Sequence, residues 1–456
     1  MTQQAAAQPT KHGLVLQPDW LVPIESPAIR DGYLVASAGT IEYLGVELPE
    51  RFIALPRIRL EKTAILPGWI NSHCHLEFSD LTAPIPAGDS FDSWLSRVVQ
   101  QRTAISSQSA EQRLEQRRHA IRQGLIESWK HGVRWIVDNV TAPWDPAWIS
   151  TLQSEIRSEL SHLAASALVP YDLISVQPCF ELIDVREERW QQTSTFAFEQ
   201  ISAPKLQSVY LSGLAPHAPY TASTHVTRCA ADWSCQHRGL VSMHLAESRE
   251  ELQWLEHRTG SLGAWMETKI NEHHRSNIGT IDEHLKLLAS AWRSLIVHGN
   301  FLATHQIDWL IEHCSRMAVV YCPRTHAWFH HPPYPLNDLK SRGIPVLLGT
   351  DSRASNPDLN IWEEVKKIAS LMAVCEPSDL ARMITSDASR FLDIARSIGR
   401  MELGGASQLT AVRWDRVNAQ DAGPQSEQEL WRWMVQHGDP YPLEMDDRFA
   451  LDARRN

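Results

Sequence analysis

The sequence predicts an α/β chain: a (β/α)8 TIM-type barrel with a small β-sandwich domain built from both chain ends. Three observations lead there. The chain has 456 residues, strand-like and helix-like stretches alternate through its middle, and short strand-like segments recur near both ends. A barrel of this kind takes roughly 250 residues, or ~400 with insertions, which leaves room for a satellite domain.

In chain order, residues 12–62 break into short extended segments at 13–16, 32–36, 40–44 and 52–55, a spacing that suits a small β-sandwich or β-barrel. Strand candidates follow at 63–70, 133–140, 174–180, 209–215, 240–245, 294–298, 317–322 and 344–350. Helix is clearest over 110–131, where Leu114, Ile121, Leu125 and Trp129 recur near helical spacing. Further helices are expected at 222–237, 248–258, 303–313 and 359–374. Strand-like residues 409–414 and a Trp-rich helix near 427–436 complete the pattern. Residues 1–62 and 399–456 are therefore expected to form one small β-domain, the latter with a tail, around a barrel over 63–398. The stretch 71–108, after the first barrel strand, is long enough for a lid.

Composition narrows the partners. The formal net charge is −11 and no Lys/Arg-rich run stands out, which argues against a nucleic-acid polymer and for a small molecule. Seven Cys without a repeating spacing do not form a disulfide framework. The N-terminus lacks the basic start and apolar stretch of a secretory signal, and no window approaches ~18 uninterrupted apolar residues. A cytoplasmic enzyme without a membrane partner is the expectation, with a homodimer as the default oligomer. The 18 Trp read mainly as packing mass.

The residues that carry chemistry sit at strand ends. Thr63 to Leu66 leads into Pro67-Gly68-Trp69-Ile70-Asn71-Ser72-His73-Cys74-His75. Residues i and i+2 of an extended segment share a face, so His73 and His75 can aim the same way and form half of a divalent-metal site. Three more apolar runs end in a reactive group: His244 (with Glu247 three residues on), His298, and Asp351 after Gly349-Thr350. Barrel sites draw on the C-terminal ends of several strands. Packing or loop histidines, and a helix cap for Asp351, are the structural alternatives.

These motifs, with Ala215-Pro216-His217-Ala218-Pro219-Tyr220-Thr221, resemble the amidohydrolase superfamily over about residues 12–415. The similarity is strongest to its branch of cyclic-amidine deaminases, acting on purines, pyrimidines and related nucleosides, and triazine hydrolases. The resemblance implies His73, His75, His244 and Asp351 as metal ligands, Glu247 as proton shuttle, and His298 as the group that polarises the attacking water. Strand four offers Leu214-Ala215-Pro216-His217 in place of a bridging lysine, so one divalent metal is expected, zinc first and iron second. Such an ion can lower the pKa of bound water to ~7, and Glu247 would protonate the ring nitrogen and the departing ammonia.

For the substrate, the resemblance implies that His217 contacts the ring. Glu181 is a candidate for a substrate hydroxyl, Arg324 for a carboxylate, and Trp328 or Phe329 for stacking on a base, against the alternative of a proline-framed loop packed on itself. Arg324-Thr325-His326 resembles the corresponding loop of 6-aminodeoxyfutalosine deaminases. One departure stands out: many relatives carry Gly-Lys-x-Ala-Asp-Leu where this chain reads Gly404-Gly405-Ala406-Ser407-Gln408-Leu409. That puts the packing of the satellite domain in question. The expected function is a metal-dependent hydrolytic deaminase of an amino-substituted N-heterocycle. Rivals are a chlorohydrolase or cyclic amide hydrolase on the same scaffold, and a non-catalytic binding protein that retains the fold.

Overall fold

The computed structural model describes residues 13–106, 109–160, 173–203, 212–372, 375–394, 398–414 and 423–443. The chain opens with β1 (Gly13–Leu21), β2 (Ile29–Arg30), β3 (Tyr33–Ser37), β4 (Thr40–Gly45) and β5 (Arg57–Pro67). It continues through β6 (Trp69–Cys74), β7 (Val133–Val140), β8 (Ser175–Leu182), β9 (Gly213–Pro216), β10 (Leu240–Leu245), β11 (Arg293–His298), β12 (Met317–Tyr321) and β13 (Val346–Leu348). The last two strands are β14 (Leu409–Arg413) and β15 (Asp439–Leu443).

Strands β6 to β13 form one eight-stranded sheet in sequence order, parallel throughout. Near-continuous burial along these strands is what a parallel sheet covered on both faces requires. Its two edges meet through side chains as well as backbone. The Asn71 Nδ2 donates to Thr350 Oγ1 at 2.7 Å, and the Asp351 N–H donates to His73 O at 3.1 Å. Gly349 permits this approach: a Cβ there would lie 2.8 Å from both the Cβ and the carbonyl oxygen of His73. Helices fill the connections: Ala110–Lys130, Thr224–His237, Arg249–His257, Thr304–Ile311 and Ile361–Leu371 match the helical periods of the sequence.

The remaining strands make a second sheet from both chain ends, in the order β15-β14-β5-β1-β3-β4, with β2 on β1. The first strand candidate, 63–70, divides between the two sheets. Its first half ends β5, paired with β1 and β14, and its last residues begin β6. The divide is Gly68, where a Cβ would lie 2.3 Å from Arg134 Cγ and 2.7 Å from Gln408 O. Arg134, 2 % exposed, docks the sheets together by donating to the carbonyls of Leu409 and Leu443. The departed 404–409 segment still pairs: Ser407 N donates to Gly39 O, and Gly68 N to Gln408 O, both at 2.9 Å.

Two other expectations change. Residues 52–55 are no strand: a 3-10 turn at Glu50–Phe52 leads into turns that drop Phe52 into the core. Of the candidate 209–215, residues 209–211 lie outside the described residues. The lid expectation has a physical counterpart in the helix Phe91–Ser106, whose Phe91 and Trp94 meet Phe329 edge-on at 5.6 and 5.1 Å between ring centroids. Among the described residues, no helix is long and apolar enough to cross a membrane.

Candidate metal and active site

At the C-terminal rim of the barrel, β6, β10, β11 and the turn after β13 bring His73, His75, His244, His298 and Asp351 together, each at most 7 % exposed. The Nε2 atoms of His75 and His244 face each other at 3.3 Å. Asp351 Oδ1 lies 3.6 Å from His73 Nε2 and 3.7 Å from His75 Nε2. Donor atoms of His73, His75 and Asp351 fall within 4.8 Å of one another, as do those of His73, His244 and His298. Asp351 caps no helix; turns follow it, and its Oδ2 accepts from Ser355 Oγ at 2.9 Å.

Electrostatics prepare these groups as ligands. Burial, reinforced by the neighbouring imidazoles, lowers His75 and His298 well below the usual histidine range and His244 to about 3. They are neutral. His244 Nδ1–H donates to the His217 carbonyl at 2.8 Å, which leaves its Nε2 lone pair facing His75. Burial pushes Asp351 upward, but the surrounding His73, His298 and His75 outweigh it and hold the carboxylate ionised. Both ring nitrogens of His73, Nδ1 of His75 and Nε2 of His298 are buried without a hydrogen-bond partner. Lone pairs converging on a carboxylate, with orphaned ring nitrogens, fit a divalent cation.

The rim backbone is strained where the site is built. Ala246, His298 and Asp351 adopt φ of 53°, 70° and 57°, each just at or beyond the end of a barrel strand. A left-handed non-glycine residue costs of order 1–3 kcal/mol, so packing must impose these turns. At Ala246 the imposing group is Glu251, fully buried, whose carboxylate accepts from the N–H groups of Ala246, Glu247 and Ser248. Asn300 Nδ2 adds a bond to the Glu247 carbonyl at 2.9 Å. The Glu247 carboxyl then lies 3.4 Å from His298 Nε2. Burial first, then the negative Asp351 and Glu251, raises Glu247 well above the carboxylate range.

The sequence-predicted substrate residues divide. His217 and Glu181 line a cavity of about 330 Å³ together with His75, His244, Glu247, His298 and Asp351. His217 is neutral, lowered to about 3 by burial and nearby arginines, and its Nδ1 lies 2.6 Å from Thr221 Oγ1. Glu181 Oε1 stands 3.7 Å from His75 Nδ1. Arg324 is engaged elsewhere. Its guanidinium donates to Glu364 Oε1 at 2.7 Å and to both carboxylate oxygens of Asp358 at 2.7 and 3.0 Å. It is consumed in fastening the barrel and is not among the groups lining the cavity. Trp328 is likewise engaged: its indole N–H donates to Ile85 O at 3.1 Å, which ties the strand-seven loop to the 71–108 insert.

Groups missed in sequence close the cavity. Phe91, Trp94, Leu95 and Val98 of the insert cover one side, and Phe78, Arg102 and Arg189 stand at its outer edge. A hydrophobic period in the insert could have flagged the first four; nothing local to Arg102 or Arg189 marks them.

Comparison with known proteins agrees with the fold. The chain is 26% identical to the aminodeoxyfutalosine deaminase of Nitratiruptor over 350 residues, 75% of this chain and 76% of that one. The crystal structure of Helicobacter pylori aminofutalosine deaminase with methylthio-coformycin matches with a TM-score of 0.72 at 18% identity, covering 94% of this chain and 97% of that one. Atrazine chlorohydrolase from Arthrobacter aurescens, complexed with zinc, matches with a TM-score of 0.68 at 16% identity, covering 97% and 99%. The model of the amidohydrolase family matches residues 64–421, and this chain belongs to that family.

Proposed function

We propose that the protein is a metal-dependent hydrolytic deaminase acting on an amino-substituted N-heterocycle, most closely an adenine-type nucleoside derivative, with one divalent ion, zinc first, held by His73, His75, His244 and Asp351. The observation that carries this reading is Glu247: a buried carboxyl lining a small cavity beside converging imidazoles, 3.4 Å from His298 Nε2. When bound, the ion would supply an acidified water as nucleophile. The chain's own groups do the rest. His217, neutral and fixed through Thr221, orients the ring. Glu247 delivers its proton to the ring nitrogen beside the attacked carbon and, recharged by the incoming water, passes one to the departing amine. His298 and Asp351, which line the same cavity, would orient that water. Phe91 and Trp94 exclude bulk solvent, which strengthens every charge interaction inside.

An amine leaves only when protonated, whereas chloride needs no proton. A raised Glu247 therefore favours deamination over dechlorination on this scaffold. The relatives' names point the same way: the Nitratiruptor protein is named for aminodeoxyfutalosine. Steady-state ammonia release from aminodeoxyfutalosine, adenosine, S-adenosylhomocysteine, guanine and cytosine by zinc-loaded protein tests the proposal. Turnover of an adenine nucleoside is expected. Absence of ammonia from all five sinks it.

A further inference from the structure

We infer that His326 is a positioning residue: through Asn300 it sets the direction in which the Glu247 side chain leaves the backbone. The inference rests on the deaminase reading only for what Glu247 does once placed. His326 stands in the short helix Pro323–Trp328 that follows β12, whereas Glu247 follows β10 and Asn300 follows β11. Two hydrogen bonds join these three successive rim turns. Asn300 Nδ2 donates to the Glu247 carbonyl at 2.9 Å, and His326 Nδ1 lies 3.1 Å from Asn300 Oδ1. Both His326 and Asn300 are buried.

A side chain's direction follows from the two peptide planes that flank its Cα. At Glu247 the first plane is held by its own N–H, which donates to Glu251 at 2.6 Å. The second is held at both ends: the Ser248 N–H donates to Glu251, and the Glu247 carbonyl accepts from Asn300. An asparagine amide can turn over, and here that would set oxygen against the Glu247 carbonyl oxygen. A donor at His326 Nδ1 forbids the turn, because it keeps Oδ1 on its own side. Tyr321, His331 and Tyr334 meet the His326 ring edge-on, with centroids 5.5, 5.3 and 5.6 Å away, and fix its plane. The other ring nitrogen, Nε2, lies 2.8 Å from the Pro332 carbonyl. Burial lowers the proton affinity of His326, and the Pro332 bond opposes that. The precision matters, since a misplacement of about 1 Å can cost on the order of 100-fold in rate.

Two substitutions separate positioning from packing. Each keeps one amide donor: His326→Asn near the place of Nδ1, facing Asn300, and His326→Gln near the place of Nε2, facing Pro332. In zinc-loaded protein, His326→Gln should lower kcat for an adenine nucleoside about 10- to 100-fold, with KM and zinc content little changed. His326→Asn should restore most of that loss. Deuterium exchange at the amides of residues 246–248, read by mass spectrometry, should quicken in His326→Gln and stay close to wild type in His326→Asn. Asn300→Ala cuts the same link from its other end and should match His326→Gln in both readouts; combining the two should cost no further kcat. Equal losses in the two His326 variants, wild-type kcat in His326→Gln, or additive losses with Asn300→Ala overturn the assignment. Should wild type release no ammonia from any substrate, the deaminase reading falls and exchange decides the positioning alone. Quickening confined to His326→Gln and Asn300→Ala then upholds it, and any other pattern overturns it.

Discussion

Arg324 and Arg189 make an instructive pair. Both follow barrel strands near the C-terminal rim, and both are long, charged and partly buried. Arg324 is surrounded by Glu364 and Asp358, which, against the cost of its burial, raise its proton affinity. Arg189 has no such partner and lines two cavities. A guanidinium with its donors filled is a structural fastener, and one with its donors open toward a cavity is available to a ligand. The same contrast separates two glutamates four residues apart: Glu251 is spent on three backbone N–H groups, and the Glu247 carboxyl faces the cavity.

Experiments can break these contrasts. The largest effect expected is loss of the ion: chelation should drop ammonia release to background, with zinc restoring both activity and melting temperature. Activity that survives exhaustive chelation would remove the metal from the reaction. Next, Glu247→Gln should lower kcat by about 10²- to 10⁴-fold at unchanged metal content. Glu251→Gln should also lower kcat, but with a falling melting temperature, because it frees the strained turn at Ala246. If the glutamine variant at Glu247 turns over normally, the two carboxyls are not divided as described.

Arg324→Gln is expected to act on stability. It leaves Glu364 fully buried without its counter-ion, with only the Asn356 amide and the backbone N–H of residue 324 still donating to it, which should cost about 3 kcal/mol in chemical denaturation while kcat per folded molecule changes little. A selective rise in KM for a carboxylate-bearing substrate would instead return Arg324 to the substrate.

The smallest effect is confined to acid. Burial raises Asp184, but hydrogen bonds from His274 Nδ1 at 2.8 Å and from the Ser223 hydroxyl and N–H outweigh it and lower its pKa. A carboxyl depressed on folding stabilises above its unfolded pKa of about 3.9, and that contribution is lost as pH falls through the folded value. Asp184→Asn should therefore cost about 2 kcal/mol at pH 6 and close to nothing in strong acid. A difference independent of pH would assign the loss to packing.

Much of the barrel was legible because its signals are local. The strands 133–140 and 240–245 are apolar runs of strand length, and the helix after Ser109 shows both a capping box and a hydrophobic period. His73, His75, His244 and Asp351 were legible as a set because each ends such a run. The strand at 63–70 misled because burial is continuous across Gly68, and only the pairing partners reveal that two sheets divide it. Residues 52–55 misled because an apolar cluster reads alike in a strand and in a turn that feeds the core.

Periodicity, strand-end histidines and the family motifs thus determined the architecture and which side chains could meet an ion, since these follow from neighbours along the chain. The tertiary structure alone decided which charges are free. Glu364 and Asp358 lie 40 and 34 residues from Arg324, and no comparable partner reaches Arg189 among the described residues. A charged group's role depends on whether folding supplies its counter-ion, and that is a property of packing across distant segments.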